Sequence, residues 1–190
     1  DGKLDITKYY ELKFEEDDTL SYDEWKQGIK ERLEDSIKAH KISDVEVGSF
    51  LSSGVDSSFV AASSDVSKTF TVGFDNKNYS EISYAKDLSK KINTVNINKT
   101  VTKEEYFKNL SNIMYYMDEP LADPSAVALY FVTSIASENV KVSLSGGGAD
   151  EIFGGYNIYQ EPFVWSWYYK VPYGVRKAIG KVASVFPSHR

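Results

Sequence analysis

Two short stretches of this 190-residue chain are rich in groups that can hold phosphate. The first, FLSSGVDSSF, runs from Phe50 to Phe59; the second, LSGGGADEIFGGY, runs from Leu144 to Tyr156. A turn that follows a strand and opens into a helix presents unpaired backbone N–H groups to an anion. Ser52, Ser53, Ser57 and Ser58 add hydroxyl donors, and Gly54 lets the backbone come close. The first loop has no lysine, so it is not a G-x-x-x-x-G-K-S/T cradle, and it carries an acid, Asp56. A bare carboxylate repels phosphate, whereas one that holds a divalent cation beside phosphate oxygens bridges to them. Such an arrangement suits a pyrophosphate that departs with its metal. The other reading of the same spacing is an Asp–Ser turn that caps a helix.

The elements around these loops must bring them together. KYYELKFEEDDTLSYDEW reads as a short strand, an acidic connector and a helix start, with residues 1–20 a linker and strand ahead of the main domain. Ser21 and Glu24 have capping-box spacing, and Trp25, Ile29, Leu33 and Ile37 make one apolar stripe to about His40. Asp44–Leu51 is a β-rich run that breaks at Ser52. Lys68–Phe74 is a second strand. A helix with Ile82, Ala85, Leu88 and Ile92 on one face follows, and then a third strand, Thr94–Ile97. Thr102 and Glu105 cap a helix bearing Tyr106, Phe107, Leu110, Ile113, Met114 and Met117. After Pro124 an apolar helix runs to about Ser137, and Val140–Leu144 is a fourth strand. Strands alternating with helices predict an α/β fold, a parallel sheet with helices on both faces. Ligands of such sheets bind beyond the strand C-termini where strand order reverses. With the order 3-2-1-4, the first and fourth strands are neighbours and both loops open onto one crevice.

Composition narrows the classes. The net charge of −6 argues against a nucleic-acid surface, and zero cysteines exclude disulfides, thiolate metal sites and a cysteine nucleophile. The sequence shows no apolar run near the ~18 residues of a membrane helix and no signal peptide, so the expected location is cytoplasmic. The chain begins at Asp1 without a starting Met and is expected to be a piece of something longer. His40 and His189 are isolated. Ser145 lacks the flanking glycine of a G-x-S-x-G elbow, and Gly146, Gly148 and Glu151 fail a dinucleotide fingerprint.

The quoted residues carry a resemblance. LSSGVDSS resembles the S-G-G-x-D-S loop of the ATP pyrophosphatases, which split ATP between the α and β phosphates. LSGGGADEIFGGY is similar to the L-S-G-E-G-A/S-D-E-L/V-F-G-G-Y segment of asparagine synthetases, and DEPLADPSA, Asp118–Ala126, looks like a matching segment of that family. The resemblance covers roughly Tyr22 to Tyr156. It implies a Rossmann-like, adenine nucleotide alpha hydrolase-like fold, here truncated, over residues 21–190, with the family's N-terminal glutaminase domain absent. It also implies that MgATP adenylates the aspartate β-carboxylate, and that ammonia from glutamine then displaces AMP. By position, Ser52, Ser53, Gly54, Asp56 and Ser57 would hold pyrophosphate and Mg²⁺, with Asp150 the second metal carboxylate. Phe50 and Val72 would flank the adenosine, and Ser145 and Gly146 would contact nucleotide phosphate. The partners implied are aspartate, ammonia or glutamine, and the glutaminase domain of the same full-length chain; a homodimer is compatible with it. The 190 residues alone are expected to be inactive.

Two positions depart from the family pattern: Ser53 replaces a usual Gly, and its hydroxyl offers a new donor to phosphate. Gly147 replaces a usual Glu to which the family assigns a catalytic role. Three functions stay open on these residues: an asparagine synthetase, a related amide-forming ligase such as a lactam-closing enzyme, and a nucleotide-binding module without catalysis. Asp118 and Glu119 read equally as site residues or as a solvated turn. The aromatic tail Glu161–Val175 reads as a base-stacking surface or as a face for further parts of the domain.

Overall fold

The computed structural model describes residues 2–13, 15, 17–76, 80–119 and 121–183. Four strands, β1 (Val47–Phe50), β2 (Lys68–Phe74), β3 (Val95–Val101) and β4 (Val142–Leu144), form one sheet in the order β3-β2-β1-β4. All three pairings are parallel. The reversal of strand order falls between β1 and β4, the arrangement in which both loops open onto one crevice.

Side chains alternate across each strand and bury against a helix layer on either side. Leu51, Ala61 and Ala85 meet beneath α2 (Val55–Ser63) and α3 (Ile82–Lys91), with Leu88 and Ile92 packed against them. Ile37 of α1 (Tyr22–His40) joins Val47, Val66 and Leu144 on that side. On the opposite face, Val101, Ile113, Ala126, Val127 and Phe131 pack under α4 (Lys103–Tyr116) and α5 (Ser125–Ser137). Phe70 is fully buried there with Ala136 and Val140. Helices therefore cover both faces.

Both capping boxes form, Ser21 with Glu24 and Thr102 with Glu105. Lys99 Nζ sits 2.7 Å from Glu105 Oε1. That bond, with the Thr102 N–H, holds the Glu105 carboxyl below its ordinary value. α1 docks by its C-terminal half: Ile37 is buried while Trp25 is 43% exposed. On α4, Tyr106, Leu110, Ile113 and Met114 reach the core, but Phe107 lies on the solvent side and Met117 is the C-cap.

Four boundaries differ from the sequence expectation, and β1 is the first: it spans Val47–Phe50, inside the expected Asp44–Leu51. The N-terminal strand is not formed: residues 2–13 carry no strand and are exposed, and none of the four strands pairs with them. An extended run without a neighbouring edge has nowhere to place its backbone hydrogen bonds except water. β3 starts at Val95 and runs four residues past Ile97, because β2 offers seven consecutive partners from Lys68 to Phe74. β4 is shorter, since the Val140 N–H still bonds to the Ala136 carbonyl at the end of α5.

After β4, the short α6 (Ala149–Phe153) leads into α7 (Glu161–Val164), α8 (Ser166–Tyr169) and α9 (Tyr173–Ala183). Arg176 lies 5.6–5.9 Å from the rings of Tyr168, Tyr169 and Tyr173. Phe163, Trp167, Tyr169 and Tyr173 of this tail are exposed. No helix among the described residues is long and apolar enough to cross a membrane.

Candidate functional site

The first loop leaves β1 at Phe50 and becomes α2 at Val55, with Gly54 as an N-cap that makes no side-chain cap bond. The first-turn N–H groups of a helix lack intrahelical partners, and the turn carries Asp56. The hydroxyls knit the loop together. Ser52 and Ser57 Oγ lie 2.7 Å apart, Ser52 N–H donates to Ser57 Oγ at 3.1 Å, and Gly54 N–H donates to Ser52 Oγ at 3.1 Å. Ser58 Oγ donates to the Gly54 carbonyl at 2.7 Å.

The Ser53 hydroxyl points elsewhere, donating to Glu81 Oε1 at 2.7 Å. This hydroxyl fastens the loop to the start of α3, where Glu81 is the N-cap. Spacing does not reveal the bond, because its partners lie 28 residues apart. Glu81 also lines a cavity of about 440 Å³ with Val72, Phe74, Tyr106, Pro124 and Ala128. Val72, expected beside a nucleoside, thus lies on the wall of this cavity, whereas Phe50 packs with the Phe70 core and does not line it.

The two motifs touch. A Cβ built on Gly146 would fall 2.8 Å from Ser57 N and 2.9 Å from the Asp56 carbonyl carbon. Only a residue without a side chain lets the second loop lie this close to the start of α2. Ser145 is exposed at the mouth, and its Oγ accepts the Gly147 N–H at 3.2 Å. Gly148 has φ +93°, a left-handed conformation that L side chains rarely adopt, and serves as N-cap of α6. The chain then presents Asp150 in the first turn of α6. Gly155 packs against Asp150, since a Cβ there would overlap the carboxylate.

Asp56 and Asp150 are half-buried, and neither carboxylate makes a side-chain hydrogen bond or ion pair with another described residue. No group of three or more His, Cys, Asp or Glu among the described residues could cage a metal. Two acids without partners beside hydroxyls and helix N-termini fit Mg²⁺, which takes one or two carboxylates and fills its shell with water and phosphate oxygens. Glu151 is engaged: Tyr156 Oη donates to its Oε1 at 2.8 Å. That bond, with the charges of Glu151 and Asp150, raises the phenol above its usual value, so Tyr156 remains a neutral donor.

Asp118 and Glu119 are exposed, and Asp118 adopts φ +61° in the turn after α4. His40 Nδ1 lies 2.8 Å from the Ser36 carbonyl on its own helix. His189 lies outside the described residues.

Sheet order and crevice define an α/β domain of Rossmann-like type, with two strand-to-helix loops meeting at the switch point. The family model described as asparagine synthase matches residues 28–186. The chain is 41% identical over 191 residues to asparagine synthetase (glutamine-hydrolyzing) 1 of Bacillus subtilis, covering 98% of this chain and 30% of that protein. It is 41% identical over 192 residues to a putative glutamine-hydrolyzing asparagine synthetase of Mycobacterium bovis, covering 96% of this chain and 29% of that protein. A putative glutamine-hydrolyzing asparagine synthetase 2 of Methanocaldococcus jannaschii is 35% identical over 174 residues, 85% of this chain and 33% of that protein. The chain belongs to the asparagine synthase family. It spans about 30% of the length of the first two relatives.

Proposed function

We propose that this chain supplies the ATP-cleaving site of a glutamine-dependent asparagine synthetase, a cytoplasmic ligase. The observation that carries the reading is the contact of Gly146 with the backbone of Asp56 and Ser57, which joins two phosphate-type loops into one site. The aspartate β-carboxylate attacks the α-phosphorus of ATP, pyrophosphate leaves, and ammonia displaces AMP from the β-aspartyl carbon. Ser52, Ser53, Gly54 and Ser57 hold the departing pyrophosphate. For Ser53 this means exchanging its bond to Glu81 for one to phosphate. Ser145 and Gly146 contact nucleotide phosphate, and Phe50 and Val72 flank the adenosine. Asp56 and Asp150 would hold Mg²⁺, whose charge, when bound, offsets that of the phosphates. The chemistry needs no side-chain nucleophile; it needs positioning and charge neutralisation. Ammonia comes from a glutaminase domain of the full-length protein.

The test is ATP–pyrophosphate exchange by the full-length protein. Exchange that depends on aspartate supports the proposal. Exchange with a different acid moves the protein to another amide-forming ligase, and nucleotide binding without any exchange makes it a non-catalytic homologue.

Two further outcomes are expected of the acids. Asp56→Ala weakens MgATP binding about tenfold by calorimetry, ~1.4 kcal/mol, because the phosphates lose a bridging ligand; unchanged affinity removes the metal-bridge argument. Gly155→Ala puts a Cβ onto Asp150 Oδ1, 3.0 Å from its Cγ and 3.3 Å from its Cα, so the carboxylate must turn away while the backbone gives slightly, at a cost on the order of 0.5–1.5 kcal/mol. It should raise the Mg²⁺ concentration needed for half-maximal exchange roughly two- to tenfold and leave thermal stability alone. A Mg²⁺ requirement equal to wild type would show that the Asp150 carboxylate is not a ligand.

A further inference from the structure

We propose that Thr71 is a positioning residue for the phosphate loop, acting through the Leu51 carbonyl, and that Asn96 fixes the direction of its hydroxyl. The nucleotide half of this inference rests on the proposed function; the positioning half does not. β1 ends at Phe50, and Leu51 is the last residue before the loop. Its N–H donates to the Phe70 carbonyl of β2 at 2.9 Å, continuing the ladder. Its carbonyl accepts a side-chain bond, from Thr71 Oγ1 at 2.8 Å. Both sides of Leu51 are thus pinned to β2 at the point where the chain leaves the sheet. Leu51 and Thr71 are 3% and 1% exposed, so water does not compete for that carbonyl.

The hydroxyl is itself held. Asn96 Nδ2, from β3, donates to Thr71 Oγ1 at 3.0 Å and to Thr69 Oγ1 at 3.1 Å. Reversing the Asn96 amide alone would place two N–H₂ groups together, since Asn98 Nδ2 donates to Asn96 Oδ1 at 3.1 Å, and reversing both would turn the Asn98 oxygen toward the Asn96 carbonyl, which Asn98 Nδ2 now meets at 3.4 Å. Thr69 Oγ1 in turn meets Ser89 Oγ of α3 at 2.9 Å. Because Asn96 presents a donor, the single proton of Thr71 goes to Leu51. Immediately downstream, Ser52 N–H and Oγ both meet Ser57 Oγ. A shift at Leu51 therefore reaches the hydroxyls proposed to hold pyrophosphate.

The competing account is that Thr71 only fills space. Two variants of the full-length protein separate the accounts. Thr71→Val keeps the shape and loses the hydroxyl, leaving the buried Leu51 carbonyl without this donor, while the half-buried Asn96 amide keeps only its bond to Thr69. Thr71→Ser keeps the hydroxyl and loses a methyl. Hydrogen exchange of the 52–58 amides, measured without nucleotide, reports loop position directly, and calorimetry with MgATP reports its consequence. In Thr71→Val, exchange at 52–58 is expected to rise and MgATP affinity to fall, each roughly tenfold. The β2–β3 amides should change less, and Thr71→Ser should stay within about twofold of wild type. Asn96→Ala should raise exchange at 52–58 by a smaller factor. Unchanged 52–58 exchange in Thr71→Val, or a Thr71→Ser protein as loose as Thr71→Val, overturns the proposal. Failure of the wild-type protein to bind MgATP would instead overturn the nucleotide reading, and the exchange measurement would still decide the role of Thr71.

Discussion

Gly146→Ala is expected to lower aspartate-dependent ATP–pyrophosphate exchange by the full-length protein about a hundredfold. The new methyl would lie 2.8 Å from Ser57 N and 2.9 Å from the Asp56 carbonyl carbon. Both are backbone atoms in the first turn of α2, and neither can swing aside as a side-chain tip does. One loop must retreat from the other by a sizeable fraction of an ångström. Phosphoryl chemistry depends on in-line placement, and a misplacement of about 1 Å costs roughly 10²-fold. The collision lies at the rim of the sheet rather than in either helix-layer core, so the thermal transition should move little compared with activity. Exchange within a few-fold of wild type would mean that the two loops need not touch for the reaction to run.

The contrast between what could and could not be read from the chain follows the range of the interactions. Ser21 with Glu24 and Thr102 with Glu105 were legible because a capping box is complete within four residues. β2 was legible to the residue because KTFTVGF is an interior strand whose Thr69–Val72 run is all β-branched or aromatic. β3 was read short because Asn98, Lys99 and Thr100 look like the end of a strand. Its role as the outer strand beside β2 tolerates them, and Asn96 and Asn98 spend their polarity on the network behind Thr71. The N-terminal run was misread for the converse reason: strand-forming side chains make a strand only where an edge is available.

The same holds for the site. The meeting of the two loops depended on one strand order among those that alternating strands and helices allow, and the sheet adopts it, β3-β2-β1-β4. The hydroxyl of Ser53 did not follow, because nothing local announces Glu81 as its partner. Thr71 was equally hidden, since a threonine in a strand reads as β-propensity and not as a hydrogen bond to the end of the neighbouring strand.

Gly147→Glu is expected to raise ammonia-dependent asparagine formation ten- to hundredfold, with pyrophosphate exchange changing less than about threefold. The position can take the side chain. The atom nearest a Cβ built there is Ser145 Oγ at 3.5 Å, an ordinary contact, and the backbone is not in the left-handed region that constrains Gly148. It also follows Gly146, which lies against Asp56 and Ser57, so a carboxylate on a flexible stem starts from the junction of the two loops. A positioned base contributes roughly 10²- to 10⁴-fold to proton transfer, and the incoming ammonium must lose protons before amide formation. Adenylation has no such requirement, and the groups proposed to serve it, Ser145, Gly146, Asp56 and Asp150, are unchanged. The two acids that could substitute are poorly placed for it. Glu151 accepts the Tyr156 hydroxyl, and Glu119 is exposed in the turn after α4. The measurement is the ratio of asparagine formed to pyrophosphate exchanged, in the full-length protein and its Glu variant, with ammonium in place of glutamine. Equal ratios would show that Gly147 is no defect in this protein, and nucleotide binding without catalysis would lose the residue that suggested it.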